Sequence, residues 1–249
     1  MKNFLLLSLL TINAIADPTN IDKLADGYNK YLLSNKLTKT TINEAYKKVV
    51  NEEGTSFAVY KDTNKNAICH GLNISDRRYK KMKMTQDKCK QLTLGYIYND
   101  YAFLKSKKVL QEINVFDDNN GKQVKIIHNR HNIFNYFKTP QQQASFLSFV
   151  YNIGATRLLK NKELLDNLQM LLSNQQDLQD AILDCQIKTK LSTLKIRNIN
   201  TKNVCNGNLL DLYAETKAIF LSYNKNENGV YKEGLKLRRQ KEWDGMFGL

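Results

Sequence analysis

EGTSFAVYKDTNKNAICHGL, residues 53–72, is the stretch on which the reading of this chain turns. Upstream, Thr41-Ile42-Asn43-Glu44 has the Thr-x-x-Glu form of a helix capping box, and Ile42, Tyr46, Val49 and Val50 follow at helical spacing. The pattern predicts a helix starting near Thr41, with Glu53 on its last turn and Gly54 supplying the left-handed residue that ends it. Residues 56–61 (SFAVYK) and 67–72 (AICHGL) flank the polar segment DTNKN and predict a β-hairpin, with Asp62 where the first strand enters the turn. Glu53 and Asp62 thus fall nine residues apart in one helix–turn–hairpin unit. Two carboxylates across a cleft are the working parts of glycoside hydrolysis. Two acids at this spacing also occur on any solvated surface, so the rest of the chain has to weigh the two readings.

The chain has 249 residues, is 42% hydrophobic and contains only two prolines, enough for one sizeable or two small packed cores. Residues 1–16 read as a signal peptide: Lys2, an apolar stretch from Phe4 to Ile12, then Ala14-Ile15-Ala16 before Asp17. That stretch is too short to span a bilayer, which takes about 20 residues. An apolar N-terminal helix and an uncleaved anchor are the alternatives; cleavage near Ala16 and a secreted or periplasmic location are the expectation. Cys69, Cys89, Cys185 and Cys205 are even in number, as an oxidising compartment favours, and four cysteines allow three pairings. Zinc is disfavoured, because no Cys-x-x-Cys pair exists and His128-x-x-His131 sits in a polar stretch read as a solvated loop. No metal and no cofactor are expected.

Further along, Thr85 to about Lys105 predicts a long helix, and Pro140 suits a helix start, where its missing N–H costs nothing. Residues 110–129 contain an Asn-Gly turn between apolar-containing arms and read as an inserted hairpin. Helices near 162–172, 175–189, 208–223 and 233–247 complete a mostly α architecture. The formal net charge of +14 favours encounter with polyanions. Its densest run, Arg77-Arg78-Tyr79-Lys80-Lys81-Met82-Lys83, follows the hairpin and reads either as a solvated face or as an attractor of envelope phosphates.

EGTSFAVYKD…AICHGLN resembles the catalytic segment of the phage-type lysozymes, glycoside hydrolase family 24. That family carries Glu-Gly, a short apolar strand, Tyr-x-Asp, a turn, and a Thr-Ile-Gly/Cys-Tyr-Gly-His strand. Two more blocks match in order. QQQASFLSFVYNIG (141–154), running on into LLKNKELLDNLQ, is similar to the family's Gln-x-x-Ala-x-x-Ser-Phe-x-x-Asn-x-Gly helix. NGVYKEGLKLRRQKEWDGMF (228–247) is similar to its C-terminal Gly-Leu-x-x-Arg-Arg-x-x-Glu helix. Residues 98–138 and 173–227 match poorly.

The resemblance implies an α+β, mostly α, two-lobe lysozyme-like fold, with a small β-hairpin lobe and a helical lobe separated by a cleft. Residues 17–40 would be a helical extension, and 41–249 the catalytic domain with an insertion around 106–138. It implies an exported muramidase with Glu53 as general acid and Asp62 as the ionised partner that supports the oxocarbenium ion or orients water. A helix end in a partly apolar cleft would suit Glu53 as a proton donor. Tyr60, His70, Asn152 and Gly154 would contact substrate, while Arg238 and Arg239 would be structural ion-pair partners. It implies a Cys69–Cys89 disulfide, which leaves Cys185 with Cys205. The expected partners are peptidoglycan glycan strands and the anionic cell envelope, with no nucleic acid, no transmembrane anchor and a monomeric state. One departure stands out. The family threonine on the second strand is Ala67, or Ile68 without an alignment gap, and Tyr-Gly-His becomes His70-Gly71-Leu72. Lytic transglycosylase-type cleavage, or a catalytically impaired wall-binding protein, are therefore the alternative functions.

Overall fold

Fourteen residues in the middle of the chain form a helix buried along most of its length, against which two earlier helices and the C-terminal helix pack. A computed structural model describes residues 21–62, 65–74, 83–106, 110–117, 122–129, 132–193, 207–223 and 233–248. In chain order the elements are α1 (Ile21–Leu33), α2 (Lys36–Glu53), β1 (Ser56–Asp62), β2 (Lys65–Cys69), β3 (Leu72–Ile74) and α3 (Gln86–Ser106). There follow β4 (Leu110–Asp117), β5 (Lys122–Asn129), a 3-10 turn (Ile133–Tyr136), α4 (Pro140–Ile153), α5 (Ala155–Lys160), α6 (Lys162–Ser173), α7 (Gln175–Thr193), α8 (Asn208–Leu221) and α9 (Glu233–Phe247). The class is α+β and mostly helical.

The central helix is α4. Pro140 occupies its first turn, and Thr139 and Gln142 form a reciprocal capping box, so both ends of the motif satisfy backbone N–H groups that the helix leaves open. Ala144, Phe146, Leu147, Phe149 and Val150 are all buried, the pattern of a helix enclosed by others. Phe149 stacks on Phe220 of α8 at 3.9 Å, and Phe220 lies against Trp243 of α9. The indole N–H of Trp243 is satisfied by the Tyr213 hydroxyl at 2.8 Å. Gln175 and Gln179 of α7 both donate to the Phe247 carbonyl, which fastens the end of α9. On the far side, α1 lies on α3 where glycines face each other. A Cβ on Gly95 would fall 1.9 Å from the Leu24 carbonyl oxygen, so the close crossing requires its absence.

Helix α2 starts earlier than the sequence predicts. Asn35 is its N-cap, accepting from the Thr38 amide at 2.9 Å. Thr41 therefore lies inside the helix, fully buried, and its hydroxyl is taken by Gln143 of α4 at 3.1 Å. The Thr-x-x-Glu pattern is thus no cap, because its hydroxyl has a tertiary partner. The predicted hairpin is also a three-stranded antiparallel sheet in the order β1-β2-β3. Its second arm breaks at His70-Gly71 and returns as β3, with Tyr60 opposite Ala67 and Ala67 opposite Asn73. An isolated bridge from Ala58 to Lys83 follows the sheet toward α3.

The long helix near 85–105, the hairpin at 110–129 and the later helices form as the sequence predicts. His128 falls on β5 rather than in a loop; His131 and its pairing lie outside the described residues. The signal-peptide reading of residues 1–16, the basic run through Met82 and Cys205 also lie outside them. No helix among the described residues is long and apolar enough to cross a membrane. Cys69 and Cys89 are disulfide-bonded, joining β2 to the first turn of α3, and Cys185 is disulfide-bonded as well.

Candidate functional site

Glu53 ends α2, where the Gly54 amide closes the helix on the Val50 carbonyl at 3.1 Å. Its side chain is about a quarter exposed, at 24%, so it meets both solvent and protein. Three other parts of the fold converge on it. Arg238 of α9 donates from Nη1 to Glu53 Oε1. Asn152, on the last turn of α4, donates from Nδ2 to the same oxygen at 3.1 Å. Glu53 Oε2 faces the β2–β3 turn, where a Cβ added to Gly71 would stand 3.1 Å away. Gly71 has φ +81° and so suits the turn for two reasons, conformation and room.

Behind this carboxylate lies a second one. Glu242 is 4% exposed and accepts from Arg238 Nε at 3.0 Å and from Ser148 Oγ at 2.8 Å. Arg239 Nη1 lies 2.8 Å from Glu242 Oε2 but off the hydrogen-bonding direction. The Arg239 guanidinium is held by charge and by the Phe149 ring, 5.1 Å from the ring centroid. Burial lowers the Arg239 pKa to about 10 against the pull of Glu242. Burial raises that of Glu242, offset in part by the two arginines and Ser148. For Arg238, burial also works against the charge, but Glu242 and Glu53 outweigh it and the net shift is upward. Arg238 is therefore a permanent cation shared by a buried and a partly exposed carboxylate. The environment of Glu53 is correspondingly polar: it faces a guanidinium and an amide where an apolar wall was expected.

The expected substrate contacts fare differently. Asn152 is exposed and bonded to Glu53, and Gly154 closes α4 two residues later at φ +84°. Tyr60 is half-buried on β1, opposite Ala67. His70 is not available to a ligand. It is 3% exposed, its ring Nδ1 lies 2.9 Å from Thr93 Oγ1, and its ring meets Tyr46 edge-on. Burial lowers its pKa, against a smaller opposing effect from Glu53. The substrate-contact expectation for His70 is thus corrected to a buried packing role. Asp62 ends β1 opposite Lys65, while its side chain lies outside the described residues. Ala67 and Ile68 are both buried in the central strand and bring no hydroxyl to the site.

Sequence reading placed Arg238 among structural ion pairs and missed its bond to Glu53, 185 residues away. It also missed Glu242, Ser148, Thr93 and Tyr151. For Glu242 a signal exists, since Arg238 and Arg239 lie four and three residues before it on one helix. Among the described residues no group of three or more acidic, histidine or cysteine side chains is arranged to hold a metal. No family model and no curated protein matches this chain.

Proposed function

We propose that the chain is an exported muramidase that hydrolyses the β-1,4 bonds between N-acetylmuramic acid and N-acetylglucosamine in bacterial peptidoglycan. One observation carries the reading. The three sequence blocks that resemble the phage-type lysozymes end at the same carboxylate: Glu53 from the first, Asn152 from the second and Arg238 from the third. Such convergence of distant segments on one accessible acid is the expected form of a site and an unusual one for a surface charge.

In this reading Glu53 gives its proton to the glycosidic oxygen as the bond breaks. Asn152 and Arg238 fix Oε1, so Oε2 is the oxygen left to face substrate. Asp62 stays ionised and supports the oxocarbenium ion or orients the attacking water. The sheet and the helices would form the two lobes flanking the glycan strand. Disulfides at Cys69–Cys89 and at Cys185 fit an oxidising compartment, and the net charge of +14 fits attraction to an anionic envelope. Lytic transglycosylase-type cleavage is the second reading, favoured by the buried Ala67 and Ile68 where the family holds water with a threonine.

Turbidity of purified peptidoglycan and mass spectrometry of its soluble products test both. Clearing with ordinary reducing ends is expected. Mainly 1,6-anhydro ends would transfer the assignment to transglycosylation. Binding without clearing would leave only the wall-binding alternative.

A further inference from the structure

Glu53 Oε2 faces the His70-Gly71 turn, 3.1 Å from where a Cβ on Gly71 would stand, and that turn is itself held by buried polar side chains. The His70 carbonyl sits at the break between β2 and β3 and accepts from the Tyr151 hydroxyl at 2.7 Å. The His70 ring Nδ1 is 2.9 Å from Thr93 Oγ1. Tyr151 and Thr93 thus hold His70 at two points, its backbone carbonyl and its ring. Thr93 is fully buried and Tyr151 is 9% exposed, so no water competes freely for these groups. Cys89, one helical turn before Thr93 on α3, is disulfide-bonded to Cys69, the residue before His70.

The layout on α4 gives this cluster a consequence. Tyr151 and Asn152 are adjacent residues. One holds the turn and the other holds Glu53 Oε1. Two of the contacts that set the gap between Glu53 and Gly71 therefore come from one stretch of helix. A hydrophobic packing contact would not fix it so closely, because such contacts are non-directional.

We propose that Tyr151 and Thr93 are positioning residues for Glu53: they hold the His70-Gly71 turn at a fixed distance from Glu53 Oε2 and so aim that oxygen. The proposal rests on the acid role of Glu53 given above. Neither residue touches substrate; both act through the turn.

Tyr151→Phe and Thr93→Val remove one hydroxyl each at nearly constant shape, and Thr93→Ser keeps it. On soluble glycan fragments, kcat is expected to fall about tenfold in the first two, part of the ~100-fold that a 1 Å misplacement can cost. KM is expected to stay within about twofold of wild type, since no substrate contact is lost. Thr93→Ser is expected to recover most of kcat. The Gly71 amide and the Glu53 carboxyl carbon are expected to shift in NMR spectra of Tyr151→Phe and Thr93→Val, and not of Thr93→Ser. Wild-type kcat in Tyr151→Phe or Thr93→Val with unmoved Gly71 and Glu53 resonances would overturn the proposal. So would a loss of kcat matched by a rise in KM. If Tyr151→Phe does not fold, the Thr93→Val and Thr93→Ser pair gives the same readings. If the wild type turns over no glycan, the muramidase reading fails by itself, and the two resonances alone decide whether the turn is aimed as stated.

Discussion

Two carboxylates flank Arg238, and the protein treats them differently. Glu242 is enclosed by α4 and α9, with Arg238, Arg239 and Ser148 around it. Glu53 sits at the rim of the same cluster, a quarter exposed, with both its donors on one oxygen among the described residues. The difference teaches how one cation can serve a buried carboxylate and an accessible one at once. Through Nε it neutralises a buried charge that could not otherwise stay inside. Through Nη1 it fixes an accessible one without enclosing it. Burial separates the roles; the residue types alone do not.

That comparison can be broken first at its buried end. Glu242→Ala would leave Arg239 enclosed with no carboxylate and take one of two from Arg238. The expected loss is about 3–5 kcal/mol, the usual cost of an uncompensated buried charge. Chemical denaturation measures it; a loss under about 1 kcal/mol would place Glu242 in the same class as Glu53. Next is the disulfide beside the turn. Cys69–Cys89 spans 20 residues of sequence and is expected to contribute roughly 3 kcal/mol by restricting the unfolded chain. Replacing both cysteines by alanine and repeating the denaturation checks this value.

A smaller effect comes from His70. Burial lowers its pKa in the folded state, so the unfolded chain binds the proton first as pH falls. Stability is expected to be level above the ordinary histidine pKa of about 6.5 and to decline as pH drops from there toward the lowered folded value. His70→Gln should flatten that decline, as read from melting temperature between pH 7 and pH 5. A decline of equal size in the variant would assign it to other groups.

How far the sequence reveals all this depends on the range of the interaction. Local signals hold where the partner is local. Pro140 starts α4 because Thr139 and Gln142, its neighbours, complete the box. The hairpin at 110–129 forms where apolar arms meet a turn signal. The same logic misleads at Thr41, whose hydroxyl bonds Gln143 across 102 residues and so never caps anything. The true cap, Asn35, carries a weaker pattern. His70 is expected beside the site because it falls at the family's Tyr-Gly-His strand. Its burial is decided by Thr93 and Tyr151, which no sequence pattern links to it. The candidate site is legible to the extent that it uses motif positions, Glu53 and Asn152. Its fastening to Arg238 depends on how α9 crosses α4, which is a property of packing. The pairing of Cys69 with Cys89 came from the family resemblance, and the fold contains it.

The claim that Glu53 is the accessible, working member of the pair is tested most directly by Glu53→Gln on purified peptidoglycan, with melting temperature recorded on the same preparation. The substitution keeps the shape and an oxygen for Asn152 but removes the proton donor. Clearing is expected to be abolished while stability stays within about 1 kcal/mol of wild type, as for other partly exposed positions. Clearing at near wild-type rate would contradict the account, whatever happened to stability.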